Sequence, residues 1–192
     1  MRLVAGLGNP GDKYEKTRHN AGFWCVDALA KALDAGNARE FQGGLLQEAR
    51  LDGEKVLLFK PAQFMNRSGL PLAQVSDYYG VHPEDILVAY DDVYVAPGSI
   101  RIRKGGGDGG HNGIRSLLEH IKPDAFSRVR IGVGLYEQDP QKRLHQPPLD
   151  EYVLQPLPQP DRELVAKAID GMLPNLIKWL GTGELAEHTI HV

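Results

Sequence analysis

The sequence predicts a single three-layer α/β domain, with a twisted mixed β-sheet flanked by helices. Three observations carry this. Short apolar runs of strand length alternate along the chain with amphipathic stretches of helical period. Asp52-Gly53 separates two such runs, 44–51 and 54–60, and this dipeptide favours a tight hairpin, so an antiparallel pair joins an otherwise parallel sheet. The 192 residues show no internal repeat and no linker-like stretch, which suits one core and one domain over 1–192.

Taken in order, the apolar run Leu3 to Leu7 reads as a buried strand, broken by the turn-forming Gly8-Asn9-Pro10-Gly11. A helix follows over Phe23 to Leu33, with Val26, Leu29, Ala30 and Leu33 on one face, Asn20 as its N-cap and Gly36 at its end. The hairpin's second run stops at Pro61. After Gln63 to Ser68 comes an amphipathic stretch through Val75, Tyr78 and Tyr79, capped by Ser68 or a neighbour, with Pro71 in its first turn and Gly80 as its stop. Residues 85–90 form a strand ending in Asp91-Asp92, and 99–103 alternate as a strand with one polar face. The glycine loop 105–113 opens onto a helix over 114–121, and 127–134 is a further strand. The Pro- and Gln-rich 136–150 read as a mobile loop. A helix over 161–180 carries the stripe Leu164, Val165, Ala168, Ile169, Met172 and Leu176, with Pro174 bending it, and 181–192 remain as a tail.

Composition excludes several classes. A hydrophobic share of 42% and a charged share of 24% are those of an ordinary globular chain. A single cysteine, Cys25, excludes an internal disulfide and, lying in an apolar helix, reads as a packing residue. No long apolar span and no leader pattern are present, so a cytoplasmic protein with no membrane association is expected. The net charge of −3 hides an asymmetry: residues 101–143 carry nine Lys/Arg against five Asp/Glu, leaving −7 on the remainder. A basic stretch on an acidic body fits either a phosphate-facing surface or a merely solvated face. Gly6, Gly8 and Gly11 spell a dinucleotide fingerprint, but no helix opens at Gly11 and no second strand follows in time to supply the ribose-binding acid.

Chemistry collects at strand ends. Asn9, Asn66, Asp91 and Asn112 each follow a strand, where sites form in open α/β sheets. His19 stands before a helix in the segment that also holds Asn9, and His111 adjoins Asn112. No histidine pair has metal-ligand spacing with Cys or acidic partners, so neither a metal nor a cofactor is expected. Nucleophile-elbow and P-loop motifs are absent. A histidine oriented by Asp91 could act as a base for attack by water, with Asn side chains orienting substrate or an oxyanion. Read from the residues alone, Asp91-Asp92 as turn residues and His19 as a helix-start cap is the more ordinary reading. The glycine loop offers backbone N–H groups to an anion, with Arg103, Lys104 and Arg130 nearby; strand alternation assigns Arg103 and Lys104 to opposite faces.

Gly6-Leu-Gly-Asn-Pro-Gly11, Thr17-Arg-His-Asn-Ala-Gly22, Phe64-Met-Asn66, Asp91 and the run Gly105 to Gly113, in this order, resemble the bacterial peptidyl-tRNA hydrolases. The resemblance runs over about 2–134, and the chain length and final helix fit it as well. It implies a monomeric, cofactor-free cytoplasmic enzyme that cleaves the ester between a peptide and the 3′ ribose of tRNA, recycling tRNA from stalled translation. It implies His19 as the base, Asp91 as its orienting carboxylate, and Asn9 as the residue that helps tell blocked from free aminoacyl groups. Tyr14, Phe64, Asn66 and Asn112 fall on substrate-contacting positions, Met65 lines the cleft, and Arg103 and Arg130 fall on a phosphate clamp for the acceptor stem. Residues 136–150 correspond to a variable lid. A non-catalytic RNA-binding module and a general small-ester hydrolase are the alternatives.

Overall fold

The computed structural model describes residues 1–139, 141 and 146–192. Eight strands form one mixed sheet: β1 (Arg2–Gly6), β2 (Arg39–Phe41), β3 (Gly44–Leu51), β4 (Glu54–Pro61), β5 (Ile86–Asp92), β6 (Ser99–Lys104), β7 (Ser127–Gly132) and β8 (Thr189–His191). Their spatial order is β2-β3-β4-β1-β5-β7-β6-β8. The centre, β4-β1-β5-β7, is parallel, and both flanks are antiparallel. The helices are α1 (Ala21–Ala32), α2 (Gly69–Tyr79), α3 (Asn112–His120), the short α4 (Leu149–Tyr152) and α5 (Gln159–Thr182).

Period-2 alternation in the central strands feeds two cores. Val4, Leu58, Leu87, Ala89, Val129 and Ile131 face α1 and α5, where Cys25, Leu29, Met172 and Trp179 are buried. Leu3, Leu57, Phe59, Ile86 and Val88 face α2 and α3, where Leu72, Val75, Ile114 and Leu117 are buried. This is the expected three-layer arrangement. The hairpin forms at Asp52-Gly53, with both residues at positive φ, 51° and 84°.

Several local expectations change. The 181–192 tail is partly sheet, because β8 pairs antiparallel with the outer edge of β6; a three-residue edge strand has too little periodicity to be read locally. The same holds for β2. Asn20 precedes α1, but its side chain makes no cap bond. Ser68 also makes none, and its hydroxyl donates to the Met65 carbonyl instead. The α1 helix stops before Gly36, with Asp34 taking the left-handed turn. Leu164 is 36% exposed and leaves the α5 stripe, while its other five members are buried. The expected mobile loop 136–150 falls partly on 140 and 142–145, outside the described residues; 149 and 150 belong to α4.

Candidate active site

The centre of the site is Asp91, the penultimate residue of β5, 2% exposed. Its Oδ1 is shared by two imidazoles: His19 Nδ1 at 2.9 Å and His111 Nε2 at 3.0 Å. His111 Nδ1 in turn accepts the Ile114 amide at 3.3 Å, which fixes a tautomer with the proton on Nε2, donated to Asp91. His19 donates from Nδ1, so its Nε2 carries the lone pair and has no partner among the described residues. Burial pushes the Asp91 carboxyl up, but the two imidazoles, by charge and by hydrogen bonds, together outweigh it and hold the group well below the usual carboxylate range. Asp91 is therefore an ionised double acceptor throughout the working pH range.

Two features put His19 over Asp91. Gly22, in the first turn of α1, touches the strand ends: a Cβ there would collide with the Ala89 carbonyl and with the Leu7 backbone, so only glycine lets the helix start sit on β1 and β5. The preceding segment is zipped to 153–157. The His19 amide donates to Val153 O at 3.0 Å, Leu157 N to Lys16 O at 2.9 Å, and the buried Arg18 lies 4.2 Å over the Tyr152 ring. Nothing local in the sequence signals that Arg18 and residues 153–157 hold the histidine, because the contact spans most of the chain.

Asn9 is held on three sides. Asn20 Oδ1 accepts the Asn9 amide at 2.9 Å, and Asn20 Nδ2 donates to the Asn9 carbonyl at 3.0 Å. The Asn9 Oδ1 accepts the Met65 amide at 2.8 Å, so Nδ2 is the end of its side chain left to donate outward. Asn20 is thus a clamp on Asn9 rather than a helix cap. Met65 is buried, supplies that amide and packs beneath the site in the α2/α3 core. Tyr14 and the 57%-exposed Phe64 meet edge to face at 6.4 Å, and Asn66 is exposed beside them.

A cavity of about 680 Å³ opens beside the centre. His19, Asp91, His111 and the exposed Asn112 border it, as do the glycine loop, Arg103, Lys104 and Arg130. Asn9, Tyr14, Phe64, Met65 and Asn66 do not; Asn9 and Asn20 border a second cavity of about 320 Å³, lined also by Phe23 and Trp24. Arg103 and Lys104 both border the first cavity, although alternation along β6 sets them on opposite faces of the sheet. Arg130 is less available than expected: Nε and Nη2 both bind Asp92 Oδ2, at 2.8 and 2.7 Å. Asp108, which also borders this cavity, has its carboxylate paired within the loop region, accepting the Gly110 amide at 2.7 Å and pairing with Arg115 at 3.2 Å. Those bonds, the Gly110 amide foremost, hold its carboxyl below the usual range.

His19, Asp91 and His111 also form the one His/Cys/acid cluster among the described residues whose ligand atoms lie within 4.8 Å of one another, a juxtaposition that sequence spacing did not reveal. Cys25 is fully buried, its thiol pushed up to about 12 by burial, and plays no part in the site. Among the described residues no helix is long and apolar enough to cross a membrane.

The peptidyl-tRNA hydrolase family model matches residues 3–191. The peptidyl-tRNA hydrolase of Halalkalibacterium halodurans is 49% identical over 133 residues, 69% of this chain and 72% of that protein. That of Geobacillus kaustophilus is 41% identical over 169 residues, covering 88% of this chain and 87% of its own. A crystal structure of peptidyl-tRNA hydrolase from Acinetobacter baumannii is similar with a TM-score of 0.84 and 38% identity, covering 95% of this chain and 89% of that one.

Proposed function

We infer the chemistry of the cleft from one premise: the chain belongs to the peptidyl-tRNA hydrolase family. It is an enzyme that hydrolyses the ester bond between the peptide and the tRNA of peptidyl-tRNA. The division of labour among its residues is our proposal. His19 Nε2 takes a proton from water as that water attacks the ester carbonyl, and the imidazolium then gives a proton to the departing 3′ ribose oxygen. Asp91 holds the His19 tautomer and stabilises the transient imidazolium. The observation that carries this reading is the His19 Nδ1–Asp91 contact at 2.9 Å, which leaves Nε2 unpartnered at the cavity.

Asn9 offers Nδ2 to the peptide amide next to the ester, so a blocked amino group is favoured over a free one. Tyr14, Phe64, Asn66 and Asn112 contact the substrate, and Met65 fixes the Asn9 side chain. Arg103, Lys104 and, once parted from Asp92, Arg130 meet acceptor-stem phosphates. The enzyme works as a cytoplasmic monomer without a cofactor. The test compares N-acetylaminoacyl-tRNA with free aminoacyl-tRNA. The blocked substrate should be cleaved and the free one spared, and His19→Ala should lower kcat on the blocked substrate by about 10²–10⁴. Equal rates on the two substrates, or an active His19→Ala variant, would contradict the assignment.

A further inference from the structure

Arg128 is 2% exposed, lies in β7 under the glycine loop and was not among the residues the sequence singled out. Its Nη1 donates to the Gly107 carbonyl at 2.7 Å and its Nη2 to the Gly106 carbonyl at 2.6 Å. Nη2 also reaches both Asp124 carboxylate oxygens, at 2.9 and 3.1 Å. Two successive carbonyls are thus drawn inward onto one guanidinium. In a trans peptide the carbonyl and the following N–H point in opposite directions. The amides of Gly107 and Asp108 must then point away from Arg128; both residues, like Arg128 itself, border the 680 Å³ cavity. The amides of Gly106, Gly107, Asp108 and Gly109 have no acceptor among the described residues. Gly106 adopts φ 102°, which a side chain disfavours.

Building on the peptidyl-tRNA reading above, we propose that Arg128 is a positioning residue that turns these peptide planes so that the Gly107 and Asp108 amides form a neutral cradle for a substrate phosphate. Arg128 is neutralised by Asp124 and shielded from solvent, so it acts through the loop backbone and not as a cation facing RNA. The cradle and the cationic side chains therefore differ in their response to salt. A cationic contact releases counterions, and its loss flattens the salt dependence by roughly 0.7–0.9 per phosphate. An oriented amide releases none.

The test is Arg128→Lys, which keeps the charge and loses the fork. KM for N-acetylaminoacyl-tRNA should rise about tenfold, the effect of losing a hydrogen bond to a charged group, with kcat falling less than threefold and the salt slope unchanged. Gly106→Ala should act on the same loop, and the double variant should be no worse than the poorer single one. In the wild-type enzyme, the Gly107 and Asp108 amide resonances should shift on adding inorganic phosphate and on adding deacylated tRNA, and both responses should vanish in Arg128→Lys. Should that variant not fold, Gly106→Ala and the wild-type titrations decide alone. Amides that respond to neither probe, or to free phosphate but not to tRNA, overturn the proposal. So does a variant that lowers kcat at constant KM, or that only lowers the melting temperature. Failure of the hydrolysis reading would appear separately, as a wild-type enzyme that does not cleave the blocked substrate.

Discussion

Asn20→Asp is an isosteric change with a sharp, pH-dependent expectation. Asn20 is 3% exposed and joins Asn9 through two hydrogen bonds, accepting at 2.9 Å and donating at 3.0 Å. An ionised Asp keeps the first bond and loses the second. It also sets a carboxylate oxygen against the Asn9 carbonyl and leaves that buried acceptor unpaired, at a cost of about 3 kcal/mol. A protonated Asp restores a donor at the same place. Its folded-state pKa is therefore raised, so the variant matches wild type below the unfolded value of about 3.9. Stability is then lost as pH rises, at about 1.4 kcal/mol per unit, levelling off roughly two units higher. Urea unfolding of wild type and variant at pH 4 and pH 7.5 measures this directly. At pH 7.5 the loosened Asn9 should also lower kcat/KM on the blocked substrate by about tenfold, the effect of one misplaced hydrogen bond. Equal destabilisation at both pH values, or a fully active variant at pH 7.5, would refute the clamp.

Three further outcomes are expected. Asp91→Asn should lower kcat nearly as much as His19→Ala, and the double variant should be scarcely worse than the poorer single one, because both remove one unit; additive losses in single-turnover kinetics would count against the pair. Asp92→Asn loosens Arg130, so the dependence of log(kcat/KM) on log salt should steepen by roughly 0.7–0.9 if Arg130 then engages a phosphate; an unchanged slope would place the clamp elsewhere. Glu48, hydrogen-bonded to Lys55 at 2.9 Å and to Arg39 and Tyr79, is held at about 2. With a third of its side chain in solvent, Glu48→Gln should cost only about 1 kcal/mol at neutral pH. A depressed pKa stabilises above the unfolded carboxylate value, so the difference from wild type should fade as pH drops from about 4.3 towards 2; a pH-independent difference in urea midpoints would argue against the ion pair.

Side-chain period and dipeptide conformation, which act within a few residues, marked the six longer strands, the four longer helices and the Asp52-Gly53 turn, whereas β2, α4 and β8 are too short to carry such a signal. The sequence also presented Asn9, His19, Asp91 and Asn112 as a set, since each stands at the end of a recognisable element. It could not show how their atoms are used. Asp91 serves two histidines, one 72 residues before it and one 20 after, and only the seating of α1 and α3 at the ends of parallel β1 and β5 brings both imidazoles to one oxygen. Arg130 looks like a free cation until β5 and β7 pair in parallel register and bring Asp92 beside it. Asn20 reads as a cap because caps are local, yet its amide is spent on Asn9 across the turn. Arg128 gives no signal at all in a strand of alternating cations, and its meaning depends on burial beneath a loop some twenty residues earlier. Local chemistry therefore selected the elements and the candidate residues, whereas sheet register and burial decided which hydrogen bonds each polar group makes, because a buried donor or acceptor must be satisfied by whatever the fold places within about 3 Å.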